Sequence, residues 1–262
     1  MGVLYEKQDR VVLITIDRPQ AHNALDPETH ESLVERWIAF RDDPEAWVAI
    51  LTGAGNEAFC AGADLARMGS FFDQNPIQRR DQRERDPGLG GITRHFPLWK
   101  PTIAAINGHC YGGGLELALA CDLRIAAQSA RMGLLECQWG IIPGQGGTQR
   151  LPRTVPPNIA LEMIFTAERI SAQRAYEVGL VNHVVPAERL LDKARGVAAK
   201  IVNNAPLAVR AAKEAVYRGL DLPLEEGLRV EQWLANPLRD SEDVREGMDA
   251  FRKKRAPRYR GR

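Results

Sequence analysis

The sequence predicts an α/β protein with a helical C-terminal portion. Up to Pro157, short β-branched runs alternate with glycine-bearing turns and helical apolar stripes, a pattern typical of a β/α core. Beyond Pro157 the pattern becomes mostly helical. The chain has 262 residues, of which 44% are hydrophobic and 26% charged, so it is long enough for one large domain with a sizeable buried core.

The strands of the predicted core are short apolar runs rich in β-branched residues. The first, Val11–Ile16, reads Val-Val-Leu-Ile-Thr-Ile. Similar runs predict strands at 47–52, 102–106 and 123–126, and a further strand followed by glycines is expected within 141–147. Glycine or other turn-forming residues follow these runs, as expected where strands lead into loops.

Two helices of the core have recognisable starts. Asp26-Pro27 combines a capping carboxylate with proline at the first helical position, and an apolar stripe continues to about Arg41. The glycines at 112–114 begin a second helix that extends to about Ala120, and a loop of small residues at 59–65 leads into another. In the C-terminal portion we expect one brief strand at 180–185 and helices near 158–166, 172–178, 187–203, 206–218, 224–235 and 241–254.

Residues 73–95 form the least regular part of the sequence. Asp73-Gln74-Asn75-Pro76 and the glycine-rich stretch 86–91 enclose a run with four arginines. We interpret this run as a solvated helix between two loops. The alternative is a mobile flap beside a substrate pocket, because irregular insertions often carry function.

Composition and charge exclude several classes of protein. The net charge of +1 gives no general attraction to nucleic acid, and no run approaches the roughly 20 apolar residues that span a bilayer. The first residues lack a secretory signal, and the four cysteines have no metal-binding or disulfide spacing, so we expect a cytoplasmic location with reduced thiols. The five histidines show no mutual spacing that predicts a metal site.

Two glutamates stand in segments that otherwise look buried. Glu116 follows the triple glycine in Gly-Gly-Gly-Leu-Glu-Leu-Ala-Leu-Ala, and Glu136 lies in Met-Gly-Leu-Leu-Glu-Cys-Gln-Trp-Gly. A carboxylate in apolar surroundings costs free energy or shifts its pKa upward. The pair therefore indicates a site where carboxyl groups accept and donate protons.

The glycine-rich turns indicate backbone N–H groups at helix starts, where negative charge is favoured. The run 108–114 lacks the Lys-Ser/Thr ending of a P-loop, and 144–147 does not match the full dinucleotide-binding pattern. An oxyanion hole, which needs two convergent N–H donors, suits the run better. The small-residue loop 61–64 is the candidate for the second donor.

The chain resembles the enoyl-CoA hydratase/isomerase (crotonase) superfamily over nearly its whole length. The matching stretches, in order, are Arg18-Pro19, Asn23-Ala24-Leu25, 58–65, 100–108, 112–118, Cys121-Asp122, 140–144, 146–152, Ala175, 179–182 and 254–257. The resemblance implies a β/α spiral core of stacked ββα units over residues 1–190. It also implies a C-terminal helical region, 191–262, that mediates oligomerisation into a trimer or a dimer of trimers.

The resemblance also implies the roles of individual residues. Glu116 and Glu136 align with the two catalytic glutamates of the hydratases, and the N–H groups of Ala63 and Gly113 align with the oxyanion hole. The residues that would bind the CoA portion of the substrate are Ala24, Leu25, Ala61, Asp64, Leu65 and Ala66. Many members have lysine where this chain has Ala66, so one contact with the nucleotide is not expected here.

The function implied is the reversible hydration of a 2-trans-enoyl-CoA in fatty-acid or related acyl-CoA metabolism, without a metal or a cofactor other than the substrate's CoA. A 3,2-enoyl-CoA isomerase is the nearest alternative, but that activity usually keeps an acid at the later position alone. A specialised hydroxyacyl-CoA dehydratase also stays open. A different class, RNA binding through the basic C-terminal tail, is less favoured than a tail that lies over CoA phosphates.

Overall fold

The computed structural model describes residues 2–67, 86–94 and 96–262. All of the run at 73–85, where a solvated helix is predicted, and all but the first residues of the helix expected after the loop 59–65 lie outside these residues. Within them, the strands are β1 (Val3–Gln8), β2 (Val11–Ile16), β3 (Val48–Gly53), β4 (Ala58–Cys60), β5 (Thr102–Ile106), β6 (His109–Tyr111), β7 (Leu123–Ala127), β8 (Arg131–Gly133), β9 (Ile170–Ser171) and β10 (His183–Val185).

The α-helices of the described residues mostly match the positions that the sequence predicts. They are α1 (Pro27–Asp42), α2 (Gly113–Ala120), α3 (Gly147–Thr154), α4 (Pro157–Thr166), α5 (Ala172–Glu177), α6 (Leu190–Val202), α7 (Pro206–Gly219), α8 (Leu224–Ala235) and α9 (Glu242–Arg252). At α1 the predicted cap is present, because the Asp26 carboxylate accepts the N–H of Thr29 at 2.9 Å.

Two sheets carry the core. The larger has the order β1-β2-β3-β5-β7-β10, with β1 antiparallel to β2 and every other pair parallel. The smaller has the order β4-β6-β8-β9, with β4, β6 and β8 parallel and β9 antiparallel to β8. Parallel strands are covered on both faces, which explains why the predicted strands read as continuous apolar runs.

The chain passes repeatedly from the larger sheet to the smaller one. β3 leads to β4, β5 leads to β6 and then α2, and β7 leads to β8. Gly108 makes the passage after β5 possible, since a Cβ there would come within 2.1 Å of the Glu57 carbonyl oxygen. This repeated passage between the two sheets is the β/α spiral that the family resemblance implied.

The two faces of the larger sheet pack against different partners. Side chains alternate along each strand, so Ile14 and Leu51 face the main core while Ile50 and Ile103 face the opposite side. On that opposite side, α6 covers the sheet with Leu190, Ala194 and Ala198. The proposed division of the chain at residue 190 stays a prediction.

Three features of the fold depart from the sequence prediction. The segment 141–147 contains no strand: its last residue begins α3 after a turn. The strand expected at 180–185 is shortened to His183–Val185. The edge strand β1 and all four strands of the smaller sheet were missed. The strands of the smaller sheet have only two or three residues, too few to show a periodic pattern, and β1 is mostly exposed and lacks an apolar run.

Candidate active site

The smaller sheet creates the site, because its three parallel strands end at one edge. The segments that leave this edge are 61–64 after β4, 112–114 after β6 and 134–136 after β8. The carboxyl ends of parallel strands are the usual place for a ligand. All four residues that the sequence assigned to chemistry lie on these three segments or in α2, the helix that follows one of them.

The glycine run 112–114 shapes the centre of the site. Gly112 has φ +52° and its N–H donates to the Gly133 carbonyl at 2.9 Å, which ties the run to the end of β8. Gly114 lies against β4, where a Cβ would meet the Cys60 carbonyl oxygen at 2.0 Å. Glycine is therefore required for steric reasons at Gly114 and for its positive φ at Gly112.

The N–H groups of Ala63 and Gly113 lie close to each other. A Cβ on Gly113 would come within 3.7 Å of the Ala63 nitrogen, and a Cβ on Gly62 would come within 3.1 Å of the Gly113 nitrogen. Gly113 is the first residue of α2, so its N–H has no partner within the helix. The structure therefore brings together the two backbone donors that the sequence pointed to.

Glu116 is buried in α2 with its carboxylate held by backbone amides. The side chain is 2% exposed, and Oε1 accepts the N–H of Gln145 at 2.7 Å and the N–H of Gly147 at 2.8 Å. Burial raises the pKa of Glu116, while the two amides oppose that rise. Because Gly147 is the first residue of α3, the carboxylate also lies at a helix N-terminus, which favours its ionised form.

Glu136 has a different environment from Glu116. Burial and the nearby Glu116 carboxylate raise the pKa of Glu136 to about 7. Its Oε2 is buried and has no hydrogen-bond partner among the described residues, and its Oε1 would lie 3.2 Å from a Cβ on Gly112. Burial raises the pKa of both neighbouring carboxyl groups, but backbone amides from another segment oppose the rise at Glu116 alone.

The loop 61–67 is fastened to the segment 18–26. A short parallel bridge pairs Leu25 with Ala63, with hydrogen bonds of 2.8 Å from the Leu25 N–H to the Gly62 carbonyl and 2.9 Å from the Asp64 N–H to the Leu25 carbonyl. Arg18 lies 3.1 Å from the carboxylates of both Asp26 and Asp64. These contacts fix the position of the Ala63 N–H.

The residues expected to bind CoA have different exposures. Ala24, Ala61 and Asp64 are half-buried, while Leu65 and Ala66 are exposed. Leu25 is 0% exposed, so its side chain belongs to the core and its backbone alone borders the loop. The role of these residues in CoA binding stays a prediction.

Sequence reasoning missed the groups that hold Glu116. The glycine pair Gly146-Gly147 could have indicated these amides, because it lies at the start of a helix. The pair was instead interpreted as the end of a strand pattern. Sequence reasoning also missed Leu89, whose side chain covers Gly113, and Arg18. No group of three or more His, Cys, Asp or Glu residues that could hold a metal is found in the described part of the chain.

The fold and the site together define a protein of the crotonase class. The most informative solved structures are an enoyl-CoA hydratase from Bacillus anthracis, at 42% identity and a TM-score of 0.91 over 100% of both chains, and one from Mycobacterium tuberculosis, at 36% and 0.90 over 100% of this chain and 99% of that one. The family model described as Enoyl-CoA hydratase/isomerase matches residues 6–262. The chain belongs to the enoyl-CoA hydratase/isomerase family.

Two curated relatives narrow the type of chemistry. The (E)-benzylidenesuccinyl-CoA hydratase of Thauera aromatica is 45% identical over 261 residues, covering 100% of both chains. The carnitinyl-CoA dehydratase of Salmonella typhi is 43% identical over 257 residues, covering 96% of this chain and 95% of that one. These relatives and the family support a hydratase-type activity, that of a hydro-lyase. They differ in substrate, so the acyl group is not fixed by similarity.

Proposed function

We propose that this protein adds water reversibly across the double bond of a 2-trans-enoyl-CoA to give a 3-hydroxyacyl-CoA. The observation that carries the proposal is the pair of neighbouring carboxyl groups, Glu116 and Glu136, beside the N–H groups of Ala63 and Gly113, which have no acceptor in the part of the chain that the structure describes. Two carboxyl groups with separated protonation behaviour suit the paired removal and delivery of protons.

The N–H groups of Ala63 and Gly113 form the oxyanion hole in this mechanism. They donate to the thioester oxygen, which withdraws electrons from the conjugated double bond and makes C3 electrophilic. As water adds at C3, negative charge develops on the same oxygen, and preorganised donors stabilise that charge. Catalysis follows because these bonds are stronger in the transition state than in the bound substrate.

Glu116 acts as the base and Glu136 as the acid. The amides of Gln145 and Gly147 and the start of α3 favour an ionised Glu116, and both amides use Oε1, which leaves Oε2 to accept a proton from water. The pKa of about 7 keeps Glu136 substantially protonated near neutral pH, as a donor to C2 must be. The environments of the two groups thus support this division of roles.

The acyl-CoA enters along the loop 61–66 in this proposal, with Ala24 and Leu25 bordering it. The reaction needs no metal or cofactor beyond the CoA that the substrate carries. A trimer or dimer of trimers, a cytoplasmic location and a place in fatty-acid metabolism remain part of the proposal. No helix among the described residues is long and apolar enough to cross a membrane.

A substrate panel combined with three variants tests the function. The panel contains straight and branched 2-enoyl-CoAs of several lengths, (E)-benzylidenesuccinyl-CoA, carnitinyl-CoA for the reverse reaction and a 3-enoyl-CoA for isomerase activity. We expect Glu116→Gln and Glu136→Gln each to lower hydration by about 10²–10⁴-fold, the usual contribution of general acid–base catalysis. Glu168→Gln, which changes an exposed glutamate, is the control.

Near-wild-type hydration by either glutamine variant contradicts the assignment of that residue. Rapid conversion of the 3-enoyl-CoA that survives Glu116→Gln but not Glu136→Gln would instead identify an isomerase. The panel separates this alternative from a dehydratase, which would prefer a particular 3-hydroxyacyl-CoA to a simple 2-enoyl-CoA.

A further inference from the structure

Residues 88–94, here called the strap, lie across the N-terminal end of α2. The Leu89 side chain covers Gly113 so closely that a Cβ on Gly113 would come within 2.3 Å of Leu89 Cδ2. Gly90 packs against Leu117, and its carbonyl accepts the indole N–H of Trp37 at 2.9 Å. The strap therefore forms a wall of the site beside the oxyanion donor.

The side chain of Gln145 fastens the strap to the loop that precedes α3. Its Oε1 accepts the N–H of Leu89 at 3.1 Å, the hydroxyl of Thr93 at 3.3 Å and the Nε–H of Arg94 at 3.3 Å. The groups on Leu89 and Arg94 can donate but not accept. The carbonyl end of the Gln145 amide must therefore face the strap.

The backbone of the same residue holds Glu116. The Gln145 N–H donates to Glu116 Oε1 at 2.7 Å, one of the two amide bonds to that oxygen. Arg150 braces the arrangement, with Nη1 3.0 Å from the Thr93 carbonyl oxygen and 3.3 Å from the Gln145 carbonyl oxygen. Gly146 leaves room for the Arg150 guanidinium, because a Cβ at residue 146 would overlap Arg150 Nη1.

We propose that Gln145 is a positioning residue: its side chain anchors the loop 144–147 to the strap, and its backbone N–H thereby holds the Glu116 carboxylate in its reactive orientation. The proposal rests on the proposed function for the role of Glu116 in catalysis. The geometry itself does not depend on that function. It makes the position of a catalytic carboxylate depend on a side chain that does not touch the reacting atoms.

Loss of the Gln145 side-chain bonds should change the ionisation of Glu116. Without its three side-chain bonds to the strap, Gln145 is held only through backbone carbonyls, by Arg150 at its own and by Arg94 at that of Gly144, so its N–H can shift away from Glu116 Oε1. A bond that favours the charged carboxylate is then weakened, and the pKa of Glu116 rises further. As Glu116 acts in its ionised form, the acid limb of the kcat/KM profile moves to higher pH.

Three variants isolate this effect. Gln145→Leu keeps the approximate size of the side chain but removes the acceptor, whereas Gln145→Glu keeps acceptor oxygens for the strap. Gln149→Leu is the matched control, because Gln149 is exposed on α3 and bonds to Thr148 and Arg153 rather than to the strap. Thermal unfolding of each variant separates a loss of folding from a loss of positioning.

We expect Gln145→Leu to lower kcat about tenfold and to move the acid limb up by about one pH unit, which is a 1.36 kcal/mol change in the balance of protonation states. KM should change little, Gln145→Glu should keep its strap bonds and lose less kcat than Gln145→Leu, and Gln149→Leu should match the wild type. The proposal is overturned if Gln145→Leu keeps the wild-type acid limb, or if its loss of kcat merely follows a lower unfolding temperature.

A second measurement keeps the test independent of the reaction. The ¹³C resonance of the Glu116 carboxyl carbon, identified by its loss in Glu116→Gln, is titrated in the wild type, in Gln145→Leu and in Gln149→Leu. We expect a higher midpoint in Gln145→Leu alone, and equal midpoints in all three proteins overturn the inference. If the wild type hydrates none of the enoyl-CoAs, the proposed function fails while this titration still decides the positioning role.

Discussion

The substitution Gly62→Ala tests the oxyanion hole directly. Gly62 has φ +96°, and a Cβ at this position would lie 3.1 Å from both the Gly113 nitrogen and the Tyr111 carbonyl oxygen. The added methyl would push against Gly113 from the residue next to Ala63. It would therefore act between the two N–H donors without removing either one.

Two separate costs follow from this geometry. Alanine at a positive φ costs about 1–2 kcal/mol in stability, wherever it occurs. The steric contact adds a displacement of the Gly113 N–H by a few tenths of an ångström. Complete loss of an oxyanion donor lowers kcat by about 10²–10³-fold, so we expect this partial displacement to lower kcat by about 10- to 100-fold.

Gly55→Ala is the matched control for the backbone cost. Gly55 has φ +76°, but a Cβ there would meet only Pro19, at an ordinary 3.6 Å. Both variants should therefore lose similar stability in urea unfolding. Activity is followed by the ultraviolet absorbance of the conjugated enoyl thioester, and we expect Gly62→Ala alone to lose kcat. Equal kcat values for the two variants would refute the placement of the oxyanion hole.

Three further predictions concern titration and stability. Since the pKa of Glu136 is about 7, kcat should fall about tenfold per pH unit above that value, and a flat pH–rate profile from 7 to 9 would exclude its role as the acid. Burial lowers the pKa of His30, whose Nδ1 accepts the N–H of Gly90 in the strap. The stabilisation from neutral His30 is therefore complete above pH 6.5 and is lost as the pH falls. In His30→Gln, the urea midpoint should decline less between pH 7 and pH 5.5 than in the wild type. Lys213→Ala should cost about 1–3 kcal/mol because it removes the cation paired with the largely buried Asp122 carboxylate, which keeps hydrogen bonds from Thr102 and Tyr217. Lys253→Ala, in an exposed pair, should cost far less, and equal urea midpoints for these two variants would contradict the structure.

The parts of the fold that could be predicted are those whose signal is local. The helix α1 has a capping aspartate, a first-turn proline and an apolar stripe within one stretch of sequence. The strands β2, β3, β5 and β7 are long enough to form apolar runs. The smaller sheet could not be predicted, because its strands of two or three residues are stabilised by partners that are distant in sequence.

The segment 141–147 shows how a local pattern can mislead. Ile141 and Ile142 are β-branched and precede glycines, so they look like the end of a strand. In the structure this segment forms a turn, and the N–H groups of Gln145 and Gly147 donate to the Glu116 carboxylate. The conformation of this segment is thus stabilised by a buried carboxylate on another helix. Local propensity does not include such a distant contact.

The sequence by itself determined that two carboxyl groups stand in apolar segments and that glycine-rich turns begin helices near them. It also determined the family resemblance, because the matching motifs follow in order along the chain. The tertiary structure decided which groups are neighbours and how their protonation differs. Glu116 and Glu136 have the same side chain, but Glu116 is held by two amides at a helix start, whereas Glu136 has a buried oxygen with no partner among the described residues. That difference arises from burial and from backbone donors contributed by distant segments, which is why it required the folded chain.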